Sequence, residues 1–299
     1  MNTRENKITQ GVAHTVCILA ALCALLPFIL LVVASFTDNQ WATTNGFSFF
    51  PKEISLVAYQ YIVTKWDVIG RAYLMTIVVA GIGTIASIII STLFAYGISK
   101  RDVPGMPFIS FMLIFTMLFN GGLVGTYYTY VNIFGIKDTL MALIFPNLLM
   151  NAFNVILIRN YFTTSIPPSL EEAARIDGAN EFTILAKIII PLSKPIVATV
   201  GLMTVLAYWN DWLNGLYFLS NRGGSKYYTI QSILNNINDD IKALIQSATS
   251  SNMSTQAATL PSTTIRMAIA VIGILPILVM YPFFQRYFVK GITLGGVKE

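Results

Sequence analysis

The chain has 299 residues, 55% of them hydrophobic and only 11% charged (19 Lys/Arg against 14 Asp/Glu), with a net charge of +5. Soluble domains carry roughly a quarter charged residues, because their surface faces water. Together with a mean hydropathy of +0.66, this scarcity excludes an ordinary cytosolic enzyme, a disordered chain and a disulfide-framed secreted module. The basic excess is not gathered into a stripe and no RNA-binding motif accompanies it, so nucleic acid is not an expected partner. The chain reads as a polytopic membrane protein.

Uncharged runs occupy 8–37, 72–99, 103–136, 139–158 and 267–285, and the stretch 195–221 contains only Asp211. A helix rises about 1.5 Å per residue, so about 20 apolar residues cross the hydrocarbon core. Barrel strands would be about 10 residues long and alternating, whereas Ile88-Ile89-Ile90 and Leu26 to Val33 are unbroken apolar runs. Six helical spans are expected at 12–36, 71–98, 107–131, 139–162, 196–219 and 264–286. The first exceeds the ~7–15 residues of a signal-peptide core and reads as a retained anchor. Cys17 and Cys23 lie six apart within it, cannot pair with each other and read as small hydrophobes. His14, near the same end, has no second His or carboxylate beside it, so no metal site is expected. Residues 243–265 are uncharged but rich in Ser, Asn and Gln, and read as loop.

Arg4 and Lys7 precede the first span, Lys100 and Arg101 follow the second, and Arg286, Lys290 and Lys298 follow the last. Inside loops are enriched in Lys and Arg, so both termini are expected on the cytoplasmic side. The outside loops are then 37–70 and 220–263. Their aromatic and amide residues (Trp41, Tyr59, Trp66, Tyr227, Gln231, Asn235) suit either interfacial anchoring or docking of an external partner.

The inside loop 163–194 carries seven charges: Glu171, Glu172, Arg175, Asp177, Glu181, Lys187 and Lys194. Pro167 and Pro168 suit a helix entrance, and Ser169 with Glu172 has capping-box spacing. Gly178 suits a helix end, because glycine tolerates the left-handed conformation there. Leu185, Ile188 and Ile189 give the next segment an apolar face, ended by Pro191. Two short helices joined by a tight turn are expected between spans four and five.

Within this loop, Glu172-Ala173-Ala174, three residues, Gly178, nine residues, then Ile188 and Pro191 resembles the "EAA" signature of permease subunits of ABC importers. Asp177-Gly178-Ala179, Pro191-Leu192 and Lys194-Pro195 are similar to the carbohydrate-uptake branch. So are Gly121-Gly122-Leu123, Trp209-Asn210-x-Trp212-x-Asn214 and Tyr287 to Gly291. Within that branch the chain resembles the smaller maltose-type permease and oligosaccharide or polysaccharide permeases, from about residue 10 to the C-terminus. One departure is Gly125, where proline is usual in the family and would bend span three.

The resemblance implies an all-α type I ABC importer permease fold. A segment 1–70 would hold the first span and first external loop, a permease core would occupy 71–286, and a tail 287–299 would be cytoplasmic. It implies that the loop is the coupling element to a separate ATPase, with Glu172, Ala173, Ala174, Asp177 and Gly178 at the contact. The implied partners are a second homologous permease, two cytoplasmic ATPase subunits, an extracytoplasmic solute-binding protein, a carbohydrate substrate and membrane lipid. No GxxxxGK[ST] loop occurs in the chain, so ATP and Mg would be bound by the partner ATPase and this chain would hold no cofactor. The implied mechanism is alternating access without covalent chemistry, in a transport subunit that is not itself an enzyme.

Polar residues mark a candidate substrate path. Asn147, Asn151 and Asn154 fall at i, i+4, i+7 in span four, and Asn210, Asn214 and Tyr217 repeat that spacing in span five. Trp209, Asp211 and Trp212 flank the second group, and Asn120 lies in span three beside Gly121 and Gly122. Polar groups facing lipid are costly, so these faces point to neighbouring helices or to a watery cavity. Amides and aromatic rings match the hydroxyls and apolar faces of sugars. Interhelical hydrogen bonding explains the same stripes without a ligand. Asp211 is the one acid inside an expected span, and would face either a base or the substrate. A non-carbohydrate solute stays open, and so does a membrane-embedded glycan or lipid transferase, although no HExxH, paired carboxylates or phosphate loop speaks for the latter.

Overall fold

The structure, a computed structural model, describes residues 4–100, 103–236 and 262–296. Most of the loop expected at 243–265, and Lys298 of the tail, lie outside the described residues. The chain divides into two compact units, residues 1–69 with 234–275 and residues 70–233 with 276–299. Among the described residues everything regular is helical, apart from one isolated antiparallel bridge between Thr37 and Ile54.

In the first unit, α1 (Arg4–Ser35) is exposed from Thr9 to Ile29 and buries Ala34 and Ser35 at its end. Its end is fastened to the following loop. The Ser35 Oγ and Tyr59 hydroxyl lie 2.8 Å apart, and Phe36 stacks on the Tyr59 ring at 4.8 Å. Asp38 caps α2 (Asn39–Asn45) by accepting the Gln40 and Trp41 amides at 2.9 and 3.1 Å, satisfying donors that a helix start leaves open. Helix α3 (Val57–Thr64) follows and buries Ala58 and Ile62.

In the second unit, α4 (Trp66–Ser99, which starts just before the unit boundary) runs past two apolar clusters. Val79 and Ala80 join Leu143, Ile144, Tyr208, Trp209 and Phe218 in one. Ala95, Tyr96 and Ile98 join Val155, Ile158, Phe162, Ala174, Ile184 and Ile189 in the other. At about 1.5 Å per residue the two clusters lie roughly 22 Å apart along α4.

Helices α1, α4 and Thr263–Met280 within α13 (Ser262–Gly296) are each long and apolar enough to cross a membrane. The helix α13 continues beyond 286 to Gly296, so the expected tail begins as helix. Spans three, four and five are not the continuous helices that the uncharged runs suggest. The stretch expected as span three holds α5 (Met106–Leu118) followed by α6 (Gly122–Ile133), bent by 118° between them. The stretch expected as span four holds α7 (Met141–Ile144), an irregular stretch, then α8 (Ala152–Ser165), neither helix being long enough to cross a membrane. The stretch expected as span five holds α11 (Lys194–Asn210), a break at Asp211 and Trp212, then α12 (Leu213–Phe218). The breaks have identifiable causes. Gly122 holds φ +76° and Asn147 φ +61°, both left-handed and incompatible with continuing a helix. Pro146 contributes no amide hydrogen, and Asp211 sits in extended backbone at φ −74°, ψ 116°. The bend in span three falls at Phe119–Gly121, while Gly125 lies inside α6, so the missing proline there does not decide the bend.

Candidate functional site

The loop between α8 and α11 folds as two short helices, α9 (Pro168–Ile176) and α10 (Glu181–Leu192), joined through Gly178. Gly178 has φ +79°. Its amide donates to the Arg175 carbonyl at 3.0 Å, and the Ala179 amide donates to Ala174 at 2.9 Å. That pair of bonds is a Schellman ending, and only a left-handed residue at Gly178 closes it. Asn180 then starts α10 by accepting the Thr183 amide at 2.8 Å. Near Leu185 one wide turn lets the Ile190 amide reach the Leu185 carbonyl. The helix stops at Leu192 and turns by 80° into α11. Leu185 and Ile189 are buried, with Ile188 packed beside them, as the apolar pattern predicts. The capping box expected between Ser169 and Glu172 does not form: α9 starts on Pro167 and Pro168 with no side-chain cap, because proline at the first turn leaves one amide fewer to satisfy.

Of the residues the EAA signature singles out, Glu172, Ala173, Asp177 and Gly178 are exposed, while Ala174 packs into the apolar cluster. Three other charges of the loop are engaged within the chain, so the local excess of charge is not all free for a partner. Glu171 pairs with Lys100, and Arg175 pairs with Glu181 at 2.8 Å. The Tyr96 hydroxyl donates to Glu181 at 2.5 Å. This hydrogen bond, with the neighbouring Arg175 and Lys100, holds the Glu181 carboxyl below the ordinary glutamate range, while Glu181 raises the Arg175 guanidinium. Pattern reading missed Tyr96, because a tyrosine near the end of an apolar run looks like interfacial anchoring.

The polar path residues separate into two groups. The face Asn147–Asn151–Asn154 does not exist as a helical stripe, because Asn147 lies before α8 in left-handed backbone. Asn151 caps α8, accepting the Phe153 and Asn154 amides at 2.9 and 3.3 Å. Asn154 is buried and donates to the Thr204 Oγ at 3.3 Å. Asn210, Asn214 and Tyr217 likewise straddle a break. Asp211 accepts the Asn214 amide at 3.3 Å and so starts α12. Asn214 is buried and donates to the Pro146 carbonyl at 3.1 Å, tying the break in span five to that in span four. Trp209 is buried edge-on to Tyr73. Asn210 lies at the surface within 3.5 Å of Gln231, and Trp212 is exposed.

The structure brings Asn120, Asn147, Asn214 and Tyr217 together. They line one cavity of about 240 Å³ with Gly122, Leu123, Thr126, Leu213 and Phe218. All three helix breaks meet there. Asn120 is shaped by its own turn, accepting the Gly122 amide at 2.9 Å. Asn147 also lines a second, more apolar cavity of about 600 Å³ with Tyr130, Phe134, Ile136, Phe145, Leu149 and Met150. Open backbone at membrane depth persists where it is buried in protein or lines a water-filled cavity, and broken helices are where transporters place their binding sites.

The chain combines broken apolar helices around a polar cavity with a Schellman-closed two-helix loop that carries the EAA residues. Residues 103–294 match the family model "Binding-protein-dependent transport system inner membrane component", and the chain belongs to that family. It is a membrane-embedded permease subunit of an ABC importer. It is 37% identical to the polygalacturonan/rhamnogalacturonan transport system permease protein YtcP of Bacillus subtilis (strain 168), over 98% of this chain and 99% of that one. It is 28% identical to the trehalose/maltose transport system permease protein MalG of Thermococcus litoralis, over 94% of each. Among solved structures, a chain of a bacterial ABC transporter involved in the import of the acidic polysaccharide alginate superposes with a TM-score of 0.78. That chain is 31% identical, with 96% of this chain and 99% of that chain covered.

Proposed function

We propose that the chain moves an oligosaccharide, or a short piece of a polysaccharide, inward across a bacterial cell membrane by alternating access. In this reading six spans cross the membrane with both termini in the cytoplasm, spans three to five each being interrupted by irregular backbone. Residues 1–70 hold the first span and external loop, 71–286 the permease core and 287–299 the tail. A second homologous permease completes the path. Two cytoplasmic ATPase subunits bind ATP and Mg and meet the loop through Glu172, Ala173, Ala174, Asp177 and Gly178. A solute-binding protein delivers substrate from the outside.

The observation that carries the reading is the meeting of three helix breaks at the cavity lined by Asn120, Asn147, Asn214 and Tyr217. Its amides and hydroxyls suit sugar hydroxyls, and the adjoining aromatic cavity around Tyr130, Phe134 and Phe145 suits sugar ring faces. The names of the relatives, a polygalacturonan/rhamnogalacturonan and a trehalose/maltose transport system permease, support the same substrate class. Asn147 lines both cavities from left-handed backbone outside any helix, so Asn147→Gly keeps that backbone and deletes only the side-chain amide. In proteoliposomes holding the complete importer, Asn147→Gly and Tyr217→Ala lower oligosaccharide uptake about tenfold, the worth of one hydrogen bond at ~1.4 kcal/mol. Uptake at the wild-type rate in both variants rejects this path.

A further inference from the structure

The loop 163–194 is continuous in the chain only with α8 and α11, yet its strongest polar contacts are to α4. Helix α9 buries a single residue, Ala174, so apolar packing alone holds it weakly. Five side chains close a ring around it. Lys100, just after α4, pairs with Glu171 on α9. Glu171 lies 3.9 Å from Arg175 one turn on, and Arg175 binds Glu181 at the start of α10 at 2.8 Å. Glu181 accepts the Tyr96 hydroxyl of α4 at 2.5 Å, and the Lys100 ammonium lies 4.4 Å over the Tyr96 ring, a cation–π contact that returns the circuit to its start. The Lys100 and Glu171 side chains are only 18% and 20% exposed. They are sheltered beyond an ordinary surface pair, and losing one strands the other's charge. Beside the ring lies a cavity of about 890 Å³ lined by Tyr96, Lys100, Glu171, Arg175 and Glu181, and the ring adds polar contacts to the apolar cluster that Ala95, Tyr96 and Ile98 form with Ala174 and Ile184.

We propose that Tyr96, Lys100, Glu171, Arg175 and Glu181 form a strut fastening the coupling loop to the end of α4, so that a push on α9 moves α4 together with α8 and α11. The proposal rests on the coupling reading of the loop given above. These are positioning residues, each acting by holding α9 in register with α4. Rigid transmission through such a contact makes two distant sites switch together.

The test uses the complete importer in proteoliposomes, reading uptake per ATP hydrolysed and the stimulation of ATP hydrolysis by loaded binding protein. Lys100→Met lowers the uptake-to-hydrolysis ratio about tenfold, within the usual range of coupling energies, whereas Lys100→Arg keeps it near wild type. Glu171→Gln has the same effect as Lys100→Met, and the double variant is no worse than either single one, as for two ends of one contact. Spin labels at Val103 and Ile176, both exposed, in a background lacking Cys17 and Cys23, give one narrow distance that Lys100→Met broadens. Wild-type coupling in Lys100→Met, additive losses in the double variant, or an unchanged label distance each overturn the strut. Glu172→Lys and Gly178→Pro serve as the control on the underlying reading. If they leave transport intact, the coupling role of the loop itself is rejected. If they uncouple while Lys100→Met does not, the strut alone is rejected.

Discussion

Asp138 holds a left-handed backbone, φ +58°, and its carboxylate accepts the Ser220 amide at 2.5 Å and the Ser220 hydroxyl at 2.8 Å. Chiefly because of the amide hydrogen bond, its pKa lies below the ordinary aspartate value of 3.8. A carboxylate depressed in the fold contributes stability above its unfolded pKa and loses it as pH falls through the folded value. In detergent-solubilised protein, Asp138→Asn therefore lowers the melting temperature at pH 7, and the gap to wild type narrows below about pH 4. Gly224 lies against the same carboxylate: a Cβ there would stand 2.5 Å from Asp138 and 2.9 Å from the Leu219 backbone. Since backbone cannot move aside like a flexible side-chain tip, Gly224→Ala costs about 1–3 kcal/mol in thermal or denaturant unfolding. Asn214 belongs at this scale as well. It is buried against the Pro146 carbonyl, which also accepts the Leu148 amide at 2.8 Å, so Asn214→Leu removes one of two donors at a cost of about 0.5–1.5 kcal/mol. The variant shows as a lower melting temperature before it shows as lost uptake, which makes Asn147 the cleaner probe of the cavity.

Among the elements, α4 is the helix against which both clusters of the second unit are built, and its fit is tightest at Gly83. A Cβ there would lie 2.5–2.7 Å from three atoms of the Tyr208 ring, a rigid group whose hydroxyl is held by the Ile144 carbonyl at 2.8 Å. Gly83→Ala is expected to destabilise by about 1–3 kcal/mol through overpacking, read as a lower melting temperature of the purified protein. Helix α9 depends on its ending. Gly178→Ala forces a Cβ into left-handed backbone at about 1 kcal/mol, so amide exchange is expected to speed up at Gly178 and Ala179 and stay unchanged in α8. Helix periodicity placed the two-helix loop correctly, because Gly178 and the apolar face of α10 act locally. The same periodicity misplaced the asparagine stripes. Spacing of i, i+4, i+7 marks one face only if the helix is continuous, and Asn147 and Asp211 are themselves where it stops.

For the whole molecule, the exposed EAA residues and the buried ones divide the labour. Glu172 is exposed and no shared contact of the loop relies on it, so Glu172→Lys changes the stability of the isolated subunit by no more than about 0.5 kcal/mol. In the coupling reading it nonetheless reduces co-purification of the ATPase, measured by pull-down from membranes. Unchanged co-purification would move the contact to another part of the loop.

Membrane character, the approximate place of the apolar segments and the two-helix shape of the loop at 163–194 were legible in composition and motif. Scarcity of charge and a glycine at a helix end are constraints that each stretch of chain satisfies by itself. Three things were decided by tertiary structure: where the spans break, which asparagines meet at the cavity, and which loop charges are spent on Lys100 and Tyr96. Each depends on residues 50–85 positions apart, such as Asn154 with Thr204, Asn214 with Pro146 and Tyr96 with Glu181. A hydrogen bond between distant residues forms only after packing has brought its partners together, and a one-dimensional pattern holds no record of that distance.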